Sequence, residues 1–134
     1  MYRDTYLEDR VLSASPVELV KMLYEGAIES AGQARECLRL GDIAGRARAV
    51  SRATAIVGEL AQSLQPAAPE LERNLRRLYD YALNRLLEGN ATQAELPFLE
   101  AERVLSTLLE AWNAVEPAPV PVRSAAAGQL AVQA

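Results

Sequence analysis

Apolar residues recur every three or four positions over most of the chain, and this period predicts four long helices. In the first, from about residue 16 to residue 40, the apolar positions form two adjacent stripes. So wide an apolar arc indicates that this helix contacts two neighbours rather than one. The second predicted helix ends near residue 65, the third covers about 70–87, and the fourth ends near residue 115.

The first two helices have clear boundary signals. Ser15 and Glu18 have the spacing of a capping box, and Pro16 suits the first helical position between them. Gly41 is a good terminator for the same helix, and Asp42 is the predicted cap of the second. These signals fix the start and end of the first helix to within a residue or two.

The later boundaries are less regular. We expect Gly89 and Asn90 to end the third helix. Thr92 and Glu95 have the spacing of another capping box, but Pro97 would disturb a helix that begins there and suits a first turn better. The fourth helix is therefore expected to have an irregular or late first turn.

Four helices of this length, joined by short links, predict an all-α fold, an antiparallel four-helix bundle over residues 15–116. Residues 1–14 form a lead-in that is too short to be a stable helix alone, so it must fray or dock on the bundle. Residues 117–134 begin with the alternating prolines of P-A-P-V-P-V and continue mainly with small residues, a composition that cannot build a core. We predict that this segment is a disordered tail.

Composition agrees with a helical domain and restricts its chemistry. The 134 residues are half hydrophobic but only 5% aromatic, which favours helices over sheets. The net charge is -4, and no basic patch with interleaved aromatic residues is present, so nucleic acid is not an expected partner. No signal-peptide core or membrane-length apolar stretch occurs, which predicts a cytosolic protein without membrane insertion.

Catalytic and metal-binding residues are scarce. The chain has no histidine, the commonest general base and metal ligand, and its single Cys37 cannot form an internal disulfide. Carboxylates such as Glu18, Asp80 and Glu110 suit helix caps and solvated faces rather than paired acid–base catalysis. We therefore predict that the protein is not an enzyme and has no catalytic residue, metal site or cofactor.

Four strings of residues carry a resemblance to a known family. They include A-S-P-V-E-L-V-K-M-L-Y-E-G at the first helix, N-L-R-R-L-Y-D-Y in the third and L-L-E-A-W in the fourth. In this order and spacing, together with R-A-T-A-I-V-G-E-L in the second helix, they resemble the FliS family of flagellin chaperones in bacterial flagellar export. Gly89 stands where the family usually has alanine, and the proline-rich tail is longer than usual.

The resemblance implies a partner and a role. Members of this family bind the carboxy-terminal segment of flagellin in the bacterial cytosol, prevent its premature polymerisation and help to deliver it to the flagellar type III export apparatus. Export-gate components are possible further partners. Recognition of such an amphipathic segment needs an apolar groove between helices, with anchors at helical spacing.

Five residues beside the main core stripes are predicted to line this groove. Ile56, Leu60 and Leu64 lie on the second helix, and Tyr81 and Arg85 lie four residues apart on the third. The alternative is that the two apolar residues Ile56 and Leu60 complete the core and that Tyr81 and Arg85 form a solvated pair.

The lead-in has a possible regulatory role. In members of the family, the amino-terminal segment can lie near the surface that flagellin occupies. Tyr6, Leu7 and Val11 would then shield the empty groove or contact flagellin directly. The alternative is a frayed terminus without a partner.

Two functions from other classes compete with this prediction. One is a helical adaptor or scaffold that binds another amphipathic helix, or that forms a homodimer through its exposed stripes. The other is a ferritin-like metal oxidase, which needs inward carboxylates and Glu-x-x-His pairs. The absence of histidine argues against the oxidase, and bound iron or manganese in the purified protein would support it.

Overall fold

The computed structural model describes residues 2–64 and 68–114, with side chains from residue 8 onwards. These residues form five helices and no strand, which confirms the all-helical prediction. The predicted tail at 117–134 lies outside the described residues. The helices are α1 (Tyr2–Ser13), α2 (Pro16–Leu40), α3 (Ile43–Gln62), α4 (Pro69–Thr92) and α5 (Glu95–Ala114).

Helices α2 to α5 pack in a closed cycle. Helix α2 packs against α3 and α5, and α4 packs against the same two helices. Gly26 of α2 lies against Ile56 of α3, whereas Gln33, further along α2, accepts a 2.9 Å hydrogen bond from Arg52, which is earlier in α3. These two helices therefore run in opposite directions along their contact.

The core lies between these four helices. Its buried residues on α2 and α3 are mostly small, which lets the two backbones approach closely, whereas α4 and α5 contribute larger side chains. The small members are Ala27, Ala31, Ala34, Ala49 and Ala53, and the largest include Leu60, Leu86, Phe98 and Leu105. The two stripes predicted on the first helix are thus explained by the contacts of α2 with two neighbours.

The capping predictions for α2 and α3 are confirmed. Ser15 Oγ accepts a hydrogen bond from the Glu18 amide at 3.2 Å, and Glu18 Oε1 accepts one from the Ser15 amide at 3.1 Å. Gly41 ends α2 with φ 73°, a left-handed conformation that glycine adopts without steric cost. Asp42 Oδ1 accepts a 2.9 Å hydrogen bond from the Gly45 amide and so caps α3.

The predicted end of the third helix is wrong. Helix α4 continues through Gly89 and Asn90 to Thr92, and Gln93 follows it with φ 55°. Gly89 is a contact site rather than a helix stop, because a Cβ there would lie only 2.8 Å from Cε1 of Phe98. The glycine lets the aromatic ring of α5 pack directly against the backbone of α4.

Thr92 and Glu95, which have the spacing of a capping box, do not form one in the structure. Thr92 belongs to α4, where its hydroxyl donates a 2.7 Å hydrogen bond to the Glu88 carbonyl. Helix α5 begins at Glu95 and has Pro97 in its first turn, where the missing N–H costs no hydrogen bond within the helix. The late start expected from Pro97 is therefore observed.

The lead-in forms helix α1, which ends next to α2. Arg10 Nη2 lies 3.9 Å from Glu25 Oε1, and both side chains are largely exposed, so this ion pair contributes little stability. Val11 and Leu12 are exposed in this structure. The side chains of Tyr6 and Leu7 lie outside the described residues, so their predicted docking stays a prediction.

Polar contacts also connect the packed helices. Arg35 of α2 donates to Glu102 of α5 at 2.5 Å and to Glu95 at 3.0 Å. The hydrogen bond to Glu102 raises the pKa of the Arg35 guanidinium. On the other side, buried Arg46 of α3 donates a 2.8 Å hydrogen bond to Asn90 of α4. These bonds satisfy charges that would otherwise be costly beside the core.

Candidate functional site

A cleft of about 530 Å³ lies where α2 and α4 begin and where α3 and α5 end. Its walls are mainly apolar side chains from all four of these helices or their ends, and we call it the apolar cleft. They include Val20, Leu64, Leu71, Leu75 and Leu108. Four of these residues, Val20, Leu64, Leu75 and Leu108, are partly buried and also pack against the core, so the cleft lies directly beside it.

Two tyrosines form one wall of the apolar cleft. The hydroxyls of Tyr24 and Tyr79 are 2.6 Å apart, and both residues are almost fully buried. Burial raises the pKa of both hydroxyls above their ordinary value. The pair has two hydroxyl protons but needs only one for its mutual hydrogen bond, so the second proton is available to another acceptor.

This pair predicts a loss of stability at alkaline pH. Unfolded tyrosines ionise near pH 10, whereas the folded pair stays protonated to higher pH, so the stability of the native state falls as the pH rises above about 10. A variant with both Tyr24→Phe and Tyr79→Phe should show a shallower fall. Urea denaturation midpoints from neutral pH to about pH 11 would measure the difference. Parallel loss of stability in both proteins would contradict the prediction.

Trp112 adds a second donor to the cleft. Its indole Nε1 is buried and has no hydrogen-bond partner among the residues that the structure describes. Among the other polar side chains of the wall, Ser63 donates to the Leu60 carbonyl at 2.8 Å and Glu72 pairs with Arg76 at 3.2 Å. Because the indole nitrogen has less than 1 Å² of accessible surface, an acceptor reaches it only if the wall rearranges.

An exposed apolar face of α4 continues from the cleft. Leu71 lines the cleft, and Leu78 and Tyr81 follow it at spacings that place all three on one side of the helix. The Arg85 guanidinium lies 5.9 Å from the centre of the Tyr81 ring, and its Nη1 is 3.4 Å from Glu100 Oε1 of α5. The apolar cleft and this face together form a candidate surface for a partner.

The structure does not bring the five predicted groove residues into one surface. Leu64 lines the cleft, and Tyr81 with Arg85 lies on the side of α4 nearest α5. Ile56 is partly buried against Gly26 of α2, and Leu60 is fully buried in the core. A partner reaches Leu60 only if the helices separate, whereas it reaches Tyr81 directly. The binding roles of the five residues stay predictions.

Sequence reasoning missed the contributions of Leu71, Leu75 and Trp112. These residues share the apolar stripes of their helices, and such a stripe does not distinguish a position in the closed core from one in an open cleft. The apolar stripe of each helix continues to the helix end, but the positions at the end line the cleft instead of the closed core. Which positions do so depends on how the helices are aligned along one another. The one sequence signal was that the stripe of α4 begins immediately after the Pro-Ala-Ala-Pro link.

Two further findings concern the described residues alone. None of their helices is both long and apolar enough to cross a membrane. Their cysteine, aspartate and glutamate side chains form no group of three or more that could hold a metal ion.

Comparison with known proteins gives one consistent result. The family model described as flagellar protein FliS matches residues 1–119. The chain is 36% identical over 118 residues to the flagellar secretion chaperone FliS of Salmonella typhimurium, covering 87% of each protein. It is 33% identical over 113 residues to the Campylobacter jejuni chaperone of the same name, covering 84% of this chain and 88% of that protein. It is also 29% identical over 115 residues to FliSB of Pseudomonas aeruginosa, covering 85% and 91% respectively. The chain therefore belongs to the FliS family of flagellar proteins.

Proposed function

We propose that this protein is a flagellar secretion chaperone that binds the carboxy-terminal segment of flagellin. It prevents premature polymerisation and aids delivery of flagellin to the type III export apparatus in the bacterial cytosol. The observation that carries the proposal is an apolar cleft, continuous with an exposed apolar helix face, in a chain of the FliS family. Helices α2 to α5 serve as its scaffold, an antiparallel four-helix bundle.

The surface suits a segment that folds when it binds. An amphipathic helix places apolar side chains at intervals of three and four residues, and a groove between helices accepts them. A segment without stable structure loses conformational entropy on binding, so a broad apolar contact must offset that cost. The apolar cleft and the α4 face supply such a contact along one side of the scaffold.

Individual residues have different parts in the proposal. Leu64 and Tyr81 contact flagellin, and Arg85 holds the Tyr81 ring in place through its cation–π contact. Ile56 and Leu60 support the binding surface from beneath, through the core. In this proposal, Leu64 and Tyr81 contact flagellin, whereas Ile56, Leu60 and Arg85 support the binding surface.

The amino-terminal helix is proposed to act beside this surface. The Arg10–Glu25 ion pair brings the end of α1 near α2, whose first turns border the cleft. Tyr6, Leu7 and Val11 then shield the empty surface or join the contact with flagellin. Export-gate components are proposed as further partners, and a homodimer is the proposed form when the same surface is empty.

Two exposed leucines of α4 provide a matched test. Leu71 is 57% exposed and lines the cleft, whereas Leu87 is 55% exposed and is absent from the cleft wall. Leu71→Ala and Tyr81→Ala are each expected to weaken binding by about tenfold, because both remove an apolar anchor. Leu87→Ala should bind as the wild type does. Isothermal titration with the carboxy-terminal segment of the cognate flagellin would measure all three.

The outcomes test the proposed binding surface and the proposed function separately. Equal binding by Leu71→Ala and Leu87→Ala would show that flagellin uses a different face of the protein. Absence of binding by the wild-type chain would contradict the proposed function itself. Circular dichroism melts of each variant would show whether a change in affinity comes from the contact or from lost stability.

A further inference from the structure

The buried contact between Tyr24 and Tyr79 joins two helices that lie diagonally across the cycle of four. Helix α2 carries Tyr24 and α4 carries Tyr79, and each of these helices packs against α3 and α5. The two hydroxyls are 2.6 Å apart, and the ring centroids are 6.4 Å apart. Because both residues are only 3% exposed, a partner in the cleft does not reach the rings, so their part in binding must act through neighbouring residues.

The tyrosine pair lies where the closed core meets the apolar cleft. Tyr24 is the first buried residue of α2, and Tyr79 is the first buried residue of α4. One helical turn before them, Val20 and Leu75 line the cleft, and each shares a helix face with its tyrosine. A movement of either tyrosine along the bundle therefore moves a residue of the cleft wall with it, because an α-helix is rigid over one turn.

The core beyond the pair does little to fix how far α2 lies along α4. The buried apolar side chains that follow Tyr24 in α2 are alanines, whose methyl groups form a shallow surface: Ala27, Ala31 and Ala34. Apolar contacts are also non-directional, so a small displacement along such a surface costs little. Arg35, further along α2, bonds to α5 through a long side chain that can follow the movement.

The hydroxyl contact, in contrast, depends closely on alignment. A hydrogen bond has narrow limits of distance and angle, and a displacement by one residue, about 1.5 Å along a helix, breaks it. Both hydroxyls would then be buried without a partner, which destabilises the displaced arrangement. The pair thus favours one alignment of α2 with α4 over its neighbours.

We propose that the hydrogen bond between Tyr24 and Tyr79 sets the alignment of α2 with α4 and thereby fixes the position of the cleft walls. The two tyrosines are positioning residues of the binding surface, and they hold Val20 and Leu75 at the spacing that the apolar side chains of a partner require. The inference deepens the proposed function and rests on it for the effect on flagellin binding. The alignment itself is independent of the partner.

Spin labels on α2 and α4 measure this alignment in the full-length protein without a partner. Glu36→Cys and Arg73→Cys place one label at an exposed position of each helix, and Cys37→Ala removes the single native cysteine. Glu36 follows Tyr24 by 12 residues and Arg73 precedes Tyr79 by six, so the labels are about 27 Å apart along the helix direction. A displacement of one helix along the other therefore changes the distance between the labels by nearly its full amount.

Removal of both hydroxyls tests the proposal. The double variant Tyr24→Phe and Tyr79→Phe keeps both rings and leaves no tyrosine hydroxyl of the pair buried without a partner, so its urea midpoint should stay close to that of the labelled parent. We expect the distance distribution, measured by pulsed electron paramagnetic resonance, to broaden or to shift by about 1.5 Å or more. Tyr24→Phe alone leaves the Tyr79 hydroxyl unpaired and should also change the distribution.

Tyr81→Phe is the matched control for the distance measurement. It removes a tyrosine hydroxyl from the same helix, two residues after Tyr79, but Tyr81 is 41% exposed and does not belong to the pair. Its distance distribution should equal that of the labelled parent. An unchanged distribution in the double phenylalanine variant, or an equal change in Tyr81→Phe, would overturn the proposal.

Titration with the carboxy-terminal segment of the cognate flagellin tests the effect on binding. Without labels, the double variant Tyr24→Phe and Tyr79→Phe should bind about fivefold more weakly than the wild type at an unchanged urea midpoint, because the cleft walls are no longer held at one spacing. Wild-type affinity in this variant would overturn the positioning role. If the wild-type chain itself does not bind, the proposed function fails, and the distances between the labels still decide whether the pair sets the alignment.

Discussion

Replacing Phe98 with alanine is expected to lower the free energy of unfolding by about 3–5 kcal/mol. Phe98 is fully buried in the first part of α5, and its ring packs against the backbone of Gly89 in α4. The substitution removes a large buried apolar surface and leaves a cavity, because the rigid helices on both sides cannot collapse into it. Urea denaturation followed by circular dichroism at 222 nm measures the change.

Leu96 is the control for Phe98. It precedes Phe98 by two residues in the same turn of α5 but is 57% exposed. Leu96→Ala should change the free energy of unfolding by no more than about 0.5 kcal/mol. Equal losses for the two variants would show that the contact between α4 and α5 differs from the one described.

The second large effect is expected from Gly89→Ala. Alanine is favoured over glycine inside a helix by about 1 kcal/mol, so helix propensity alone predicts stabilisation. The new Cβ would instead lie 2.8 Å from Cε1 of the Phe98 ring, which must move. Since overpacking of this kind costs about 1–3 kcal/mol, we expect Gly89→Ala to lower the free energy of unfolding measured in urea.

Gly58 provides the opposite case within the same fold. It lies inside α3, and a Cβ built there would meet no atom within 4 Å. Gly58→Ala should therefore raise the free energy of unfolding, by up to about 1 kcal/mol. Substitution of glycine by alanine is thus expected to raise the free energy of unfolding at Gly58 and to lower it at Gly89. Stabilisation by Gly89→Ala equal to that by Gly58→Ala would contradict the described packing of Phe98.

The sequence predicted most accurately the features that depend on interactions between residues close in the sequence. The start of α2 follows from a capping box and its end from a glycine in the left-handed conformation. Each signal consists of interactions between residues that are close in the sequence. The end of α4 was mispredicted because Gly89 carries the local signature of a helix stop. Its actual role is a contact with Phe98 of another helix, and no pattern within α4 records that contact.

In the candidate site, too, the sequence predicted the local pattern but not the contacts between helices. The sequence correctly separated apolar from polar faces, but it could not determine how far along each helix the packing continues. Leu60 therefore lies in the closed core, whereas Leu71 and Leu75, on a stripe that looks equally apolar, line the open cleft. The relative alignment of four helices decides this, and it is a property of the whole fold.

The proposed function requires that this chain binds flagellin. Its test is titration of the full-length protein with the carboxy-terminal segment of its cognate flagellin, followed by calorimetry and circular dichroism. We predict a one-to-one complex and a gain in helicity as the flagellin segment folds on the apolar surface. Absence of binding to the cognate segment would contradict the account and would favour a helical adaptor that uses the same fold for another partner.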